Sequence, residues 1–185
     1  ISLPQPLKKA KISAHNTQHT VPSFAWRVAL DGKKGKFDRD ATSHLPDEVK
    51  ALLASGEDTE YDGELLVAAN YRNDSIPERS IIISGDTAEQ AIDSGCDLLI
   101  HEATFLESHK DIANEHLHST AAGAARTAIE CGAKHLALTH YSARLDSHDA
   151  SLSEAREIHA SVVALGDGDR LSLIHISEPT RHASI

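Results

Sequence analysis

Acids and imidazoles stand where apolar runs stop in this chain. Ile81-Ile82-Ile83 is followed by Ser84-Gly85-Asp86, Leu98-Leu99-Ile100 by His101-Glu102, and Leu136-Ala137-Leu138 by Thr139-His140. His19 and His118 fall in comparable places. Neutral imidazole and carboxylate are the usual ligands of zinc, and a carboxylate can bridge two such ions. His116-Leu117-His118 also reads as an HxH ligand pair, although it precedes a helix cap instead of ending a strand. The chain holds 13 His. Of these, His44, His109, His116, His135, His148 and His159 lie in or beside polar or helical stretches, where a solvated or locally bonded imidazole is expected.

From Ser80 onward strands and helices alternate, the pattern of an α/β layer that would position these groups. The three apolar runs predict buried strands. A short helix is expected over Ala88–Ser94, closed by Gly95. Ser119 or Thr120 caps a second, with Ala121, Ala124, Ala125, Ala128 and Ile129 at helical spacing and Gly132 beyond its end. A last helix is expected over about 150–161, and Val162–Leu165 as the first arm of a hairpin. Upstream, Lys11–His19 and Phe24–Leu30 read as strands around a His-rich loop. Residues 32–63 are polar and turn-rich, with one helix opened by Pro46 and ended by Gly56, and 72–79 reads as a linker. Strands apolar on both sides predict helices on both sheet faces. Ligand groups in open α/β sheets gather at the carboxyl ends of strands, so three consecutive polar strand ends predict one site.

With 185 residues, 40% apolar and 25% charged, the sequence excludes a disordered or fibrous chain. No run approaches the ~18 apolar residues of a membrane span, and no secretory leader pattern opens the chain. Cys96 and Cys131 are too few for a disulfide framework or a Cys-based zinc site, so a reducing, cytoplasmic setting is expected. Residues 1–40 hold eight Lys/Arg against three Asp, a balance of +5, so the remainder carries −15 to give the net charge of −10. That balance argues against a non-specific nucleic-acid coat, yet leaves room for a phosphate substrate held by metal and a local basic patch. The Lys33–Lys36 run reads as a solvated turn. The chain starts at Ile1 without any Met, which reads as an internal piece of a gene. Residues 171–185 resemble, at LSLIHISEPTR, the translation of a sequencing adapter, and His175 and His182 are set aside with them.

Ser84-Gly85-Asp86-Thr87, His101-Glu102-Ala103-Thr104, His118-Ser119-Thr120 and Thr139-His140-Tyr141-Ser142, in this order and spacing, closely resemble the ribonuclease Z family. These are tRNA 3′-processing endonucleases of the metallo-β-lactamase superfamily. His19 followed by Phe24-Ala25-Trp26-Arg27 is similar to the family's His before a Phe-Gly-Tyr-Arg stretch, with Ala-Trp standing for Gly-Tyr. Phe37, Asp38, Leu45-Pro46 and the 53–56 segment fit the loop that follows. The resemblance covers about residues 10–170. It implies an α/β metallo-β-lactamase fold, an αββα sandwich, with residues 1–170 as its C-terminal half and the N-terminal half missing.

The family holds two zinc ions through five His and two Asp. By resemblance His19 is a ligand of one zinc, Asp86 the bridging carboxylate, and His140 a ligand of the other. The remaining four come from an HxHxDH motif, which in the family lies upstream of the His19 position and does not occur in this sequence. The implied reaction is metal-assisted hydrolysis that removes 3′ trailers from tRNA precursors, with no membrane partner and a homodimer when intact. His118 is the candidate proton donor to the leaving 3′ oxygen. Glu102 either orients and charges His118 or supports a metal ligand from behind, as Asp97 and His101 are expected to do. Thr87 and Ser119 read as helix caps. Another two-zinc hydrolase, a phosphodiesterase or arylsulfatase-like enzyme, is the alternative, as is a non-catalytic fragment; the isolated chain is expected to be inactive.

Overall fold

A computed structural model describes residues 10–171. The adapter-like segment beyond Leu171, with His175 and His182, lies outside the described residues, as do Lys8 and Lys9. The chain divides into two units, Ile1–Leu30 with Arg79–Ile185, and Asp31–Glu78.

The first unit is built on a six-stranded sheet. β1 (Ala10–Thr17) and β2 (Ser23–Leu30) pair antiparallel, and β2 pairs antiparallel with β5 (Arg79–Ile83). From there β6 (Cys96–Glu102), β7 (Ala133–Thr139) and β8 (Val162–Ala164) run parallel to β5. Ile83 pairs with Ile100 and Ile100 with Ala137, so the chain leaves β5, β6 and β7 at one edge of the sheet. That edge carries Asp86, Glu102 and His140, as the repeated strand endings predict.

α3 (Ala121–Glu130) covers one sheet face. Its Thr120 cap accepts from the Gly123 amide at 2.9 Å. Ala121, Ala124, Ala125 and Ala128 present no bulk and meet Ile82, Leu99, Leu136 and Leu138 of the sheet, with Ala155 of α4 (Asp149–Arg156) in the same core. Each such Leu removed from water contributes roughly 1.5–3 kcal/mol. The expectation of helices on both faces holds for this face alone among the described residues. Ile12, Trp26 and Ile83 share the opposite face by register and are 40–48% exposed.

Other expectations change. Residues 88–94 form no helix: Glu89 is drawn into a bidentate pair with Arg126 (2.6 and 2.8 Å), and Asp93 and the Ser94 carbonyl bind Arg27. These contacts tie the segment to its neighbours, while its Ala88 and Ser94 amides donate to the Gln18 carbonyl and the Asp93 carboxylate. The last helix stops at Arg156, and the buried His159 spends its ring nitrogens on Ser161 and the Ala133 carbonyl. Val162–Ala164 extends the parallel sheet beside β7; the second arm of a hairpin would fall beyond the described residues. Thr120, not Ser119, caps α3, and the Ser119 hydroxyl donates instead to the Thr87 carbonyl at 2.8 Å. Thr87 likewise caps no helix and donates to the Ala88 carbonyl.

The second unit holds α1 (Asp47–Ser55), the short hairpin β3 (Thr59–Tyr61) and β4 (Glu64–Leu66), and a 3-10 turn over Ala68–Tyr71. Leu45, Leu53 and Ala68 form its core. Residues 72–78 are no linker: Arg72 and Ile76 make antiparallel bridges with Phe37 and Lys33. The Lys33–Lys36 run is therefore paired backbone, with its lysines exposed. The Arg72 guanidinium donates to the Gly35, Leu53 and Ala54 carbonyls, placing positive charge on the carboxyl end of α1.

Candidate metal centre

The site is assembled from the loops after β1, β5, β6 and β7 and from the turn between α2 (Lys110–His116) and α3. Its base is Glu102, whose side chain is 1% exposed. One carboxylate oxygen accepts from the Thr87 amide at 2.9 Å and from His118 Nδ1 at 2.7 Å. The other accepts from the Thr104 amide at 3.2 Å and the Thr104 hydroxyl at 2.7 Å. Two oxygens offer about four lone-pair positions, so this carboxylate is full. Among the described residues, ligand atoms of Glu102, His118 and His140 lie within 4.8 Å of one another, spacing a metal could use. The four donors on Glu102 make it an anchor for the imidazoles and a poor ligand, because coordination would strip hydrogen bonds from buried amides.

The imidazoles share one habit: each spends Nδ1 on the protein. His19 Nδ1 lies 3.0 Å from the Leu117 carbonyl, His118 Nδ1 is on Glu102, and His140 Nδ1 is 2.9 Å from the Thr104 hydroxyl. A neutral imidazole that donates from one nitrogen keeps its lone pair on the other, so the Nε2 atoms of His118 and His140 remain for a cation or a substrate, as does that of His19 once the Thr20 hydroxyl, 3.5 Å away, turns aside. The His118 ring centroid is 4.8 Å from that of His19 and 5.5 Å from that of His140. His140 Nε2 lies 3.7 Å from Asp86 Oδ1. Exposure rises outward, from Glu102 at 1% through His118 at 17% to Asp86 at 43% and His140 at 48%. This donor set, imidazole Nε2 and a half-open carboxylate, fits zinc.

Backbone geometry explains why these motifs carry these residues. Gly85 has φ +62°, and a Cβ there would lie 2.8 Å from the Phe24 carbonyl, so only glycine passes so close to β2 while turning Asp86 outward. The Asp86 carbonyl accepts from the Ser23 hydroxyl at 2.8 Å, and the Ala88 amide donates to Gln18, pinning the loop beside His19. His140 itself has φ +55°, a conformation that costs energy for a non-glycine residue and tends to appear at functional sites. Phe105 and Thr120 bridge in parallel, and the Phe105 amide donates to the Ser119 carbonyl, joining the loop after β6 to the turn that carries His118.

Of the residues singled out in the sequence, His19, Asp86, Glu102, His118 and His140 come together. His101 and Asp97 do not. Strand alternation sends His101 to the face opposite Glu102, where it is fully buried. Its Nδ1 meets the Glu102 carbonyl at 2.7 Å, its Nε2 has no partner among the described residues, and burial pushes its pKa down. Asp97 sits at the start of β6, roughly 16 Å of strand from Glu102, and binds Arg79, Lys134 and the Ser80 amide. The HxH pair also fails, since His116 is exposed on the last turn of α2. Thr104 is the member that sequence reasoning passed over. Its one signal was a hydroxyl two residues beyond a buried acid.

No family model matches the chain. The sheet and helix arrangement is that of metallo-β-lactamase-fold proteins. It superposes on a Bacillus subtilis protein of that fold, YhfI, with TM-score 0.53 at 20% identity, covering 86% of this chain and 48% of that one. Human tRNase Z, short form, gives 0.50 at 24% identity, covering 90% and 44%. The chain is, more particularly, a sequence relative of ribonuclease Z. It is 35% identical over 176 residues to the protein of that name from Brevibacillus brevis and 32% over 173 to that from Haloferax volcanii. Each match takes in 88% of this chain and 55% of the relative, so the chain spans about half the length of the curated relatives it matches.

Proposed function

We propose that this chain carries part of the active site of a zinc-dependent endoribonuclease that removes 3′ trailers from tRNA precursors. The observation that carries the reading is the shared engagement of Nδ1 in His19, His118 and His140, which turns Nε2 of each to ligand duty, that of His140 lying 3.7 Å from the half-open Asp86 carboxylate. The similarity to ribonuclease Z supplies the substrate class. Residues 1–170 then belong to one metallo-β-lactamase-fold domain, and 171–185 are foreign to it. Two zinc ions, a homodimeric assembly, a cytoplasmic location and no membrane partner belong to the same reading. No helix among the described residues is long and apolar enough to cross a membrane.

In this reading His19, Asp86 and His140 hold zinc, with further ligands from outside this chain. Bound zinc supplies an acidified water at neutral pH and positive charge against the phosphodiester. His118 supplies the proton. As an imidazolium it donates Nδ1–H to Glu102 and presents Nε2–H to the leaving 3′ oxygen, and the Glu102 carboxylate stabilises that charged form. Glu102 in turn is held by the Thr87 and Thr104 amides, so the donor does not drift during the reaction.

The test is cleavage of a trailer-bearing tRNA precursor, with bound zinc counted, using the protein expressed from its complete gene. Asp86→Ala is expected to abolish cleavage and lower bound zinc, and His118→Ala to lower the rate while zinc stays. Loss of zinc in His118→Ala would overturn the assignment of donor and ligands, and an intact trailer with the wild-type protein would overturn the function. The chain by itself is expected to leave the precursor uncut.

A further inference from the structure

The hydroxyl of Thr104 has one hydrogen and several neighbours: Glu102 Oε2 at 2.7 Å, His140 Nδ1 at 2.9 Å, the His140 carbonyl at 3.2 Å and His118 Nδ1 at 3.3 Å. The shortest contact, to a carboxylate, takes that hydrogen, because charged acceptors make the stronger bond. Both imidazole contacts then require an N–H on the histidine side. His118 already donates Nδ1–H to Glu102 at 2.7 Å, a better acceptor and a shorter path. His140 is left as the donor to Thr104. One arrangement of hydrogens therefore satisfies the network, and in it the proton of His140 sits on Nδ1.

We propose that Thr104 is a positioning residue that locks His140 in its Nδ1–H tautomer, so that the Nε2 lone pair faces Asp86. The proposal rests on the reading of His140 as a zinc ligand and adds the group that sets its orientation. The hydroxyl relays the Glu102 carboxylate to His140, so one buried acid governs both imidazoles, His118 directly and His140 through Thr104. Backbone contacts hold the relay: the Ser142 amide donates to the Thr104 carbonyl at 3.1 Å and the Ala103 amide to Thr139 at 2.8 Å, fixing the two loops in register. With the Thr104 hydroxyl gone, Asp86 Oδ1, 3.7 Å from Nε2, draws the proton to Nε2, and only the other tautomer presents a lone pair toward Asp86.

Two variants test this, Thr104→Val, which removes the hydroxyl at nearly constant volume, and Thr104→Ser, which keeps it. The first readout is the ring 15N NMR spectrum of His140 in the zinc-free protein expressed from its complete gene, taken well above the ordinary imidazole pKa of about 6.5. Wild type and Thr104→Ser are expected to show Nδ1–H, and Thr104→Val a mixture or Nε2–H. The second readout is zinc affinity by chelator competition, expected to fall about 10–100-fold in Thr104→Val and to be restored in Thr104→Ser. An unchanged His140 tautomer in Thr104→Val, or a Thr104→Ser that behaves like the valine variant, would overturn the proposal. A wild-type protein, expressed from its complete gene, that binds no zinc would overturn the zinc reading instead, and the NMR result would still decide the role of Thr104.

Discussion

Glu102 is where the site and the stability of the chain meet. Replacing it by Ala strands four donors: the Thr87 and Thr104 amides, the Thr104 hydroxyl and His118 Nδ1. Two of them have exits. The hydroxyl can turn to the His140 carbonyl, already 3.2 Å away, and His118 is open enough for water. The two amides have none, being backbone groups of residues that are 0% and 9% exposed. A buried donor left unpaired costs about 1–3 kcal/mol, so Glu102→Ala is expected to cost about 2–6 kcal/mol of a total that is typically about 5–15. Glu102→Gln keeps one acceptor oxygen for two donors, and its amide can donate to the Thr104 hydroxyl. One buried N–H then remains opposed, for about 1–3 kcal/mol, or a Tm fall of roughly 2–12 °C in a chain of this length. Urea titration of the three proteins measures this, with equal m-values as the sign that the states compared are the same. An Ala variant within about 0.5 kcal/mol of wild type, or a Gln variant that is the less stable of the two, would refute the reasoning.

Gly85→Ala should cost at least about 1–2 kcal/mol for the left-handed backbone, with further strain from a Cβ 2.8 Å from the Phe24 carbonyl. Urea midpoints would show it, and full stability in that variant would mean the loop after β5 is not held against β2. A separate expectation concerns acid. Burial raises the Glu107 pKa, but hydrogen bonds from Thr120, Arg126 and Lys110 outweigh it and hold the carboxyl at about 2, below its ordinary 4.5. The folded value lies below the unfolded one, so this stabilisation is full above pH 4.5 and is lost as pH falls through about 2. The stability gap between wild type and Glu107→Gln should accordingly narrow from pH 6 to pH 2, and a gap constant over that range would refute it.

The strands and α3 were legible because their causes are local. Three apolar runs of strand length, an Ala-rich stretch at helical spacing and a hydroxyl at its cap name their own conformations wherever the chain places them. The repeated polar strand ends also announced a site, since parallel strands bring their carboxyl ends to one edge. What residues 88–94 do was not legible, because Arg126, 37 positions from Glu89, decides it. The sequence motifs also left Glu102 between two roles and placed His101 behind a metal ligand. Only strand alternation, seen once β6 is fixed in the sheet, sends one into the core and the other to the site. The role of Glu102 was open for the same reason, since two of its four donors come from Thr87 and His118, 15 and 16 residues away on either side. Residue types thus set which groups this protein has for chemistry. Which nitrogen points at an open carboxylate, and which acid is already spent on buried amides, is decided by contacts between distant loops that exist only in the folded chain.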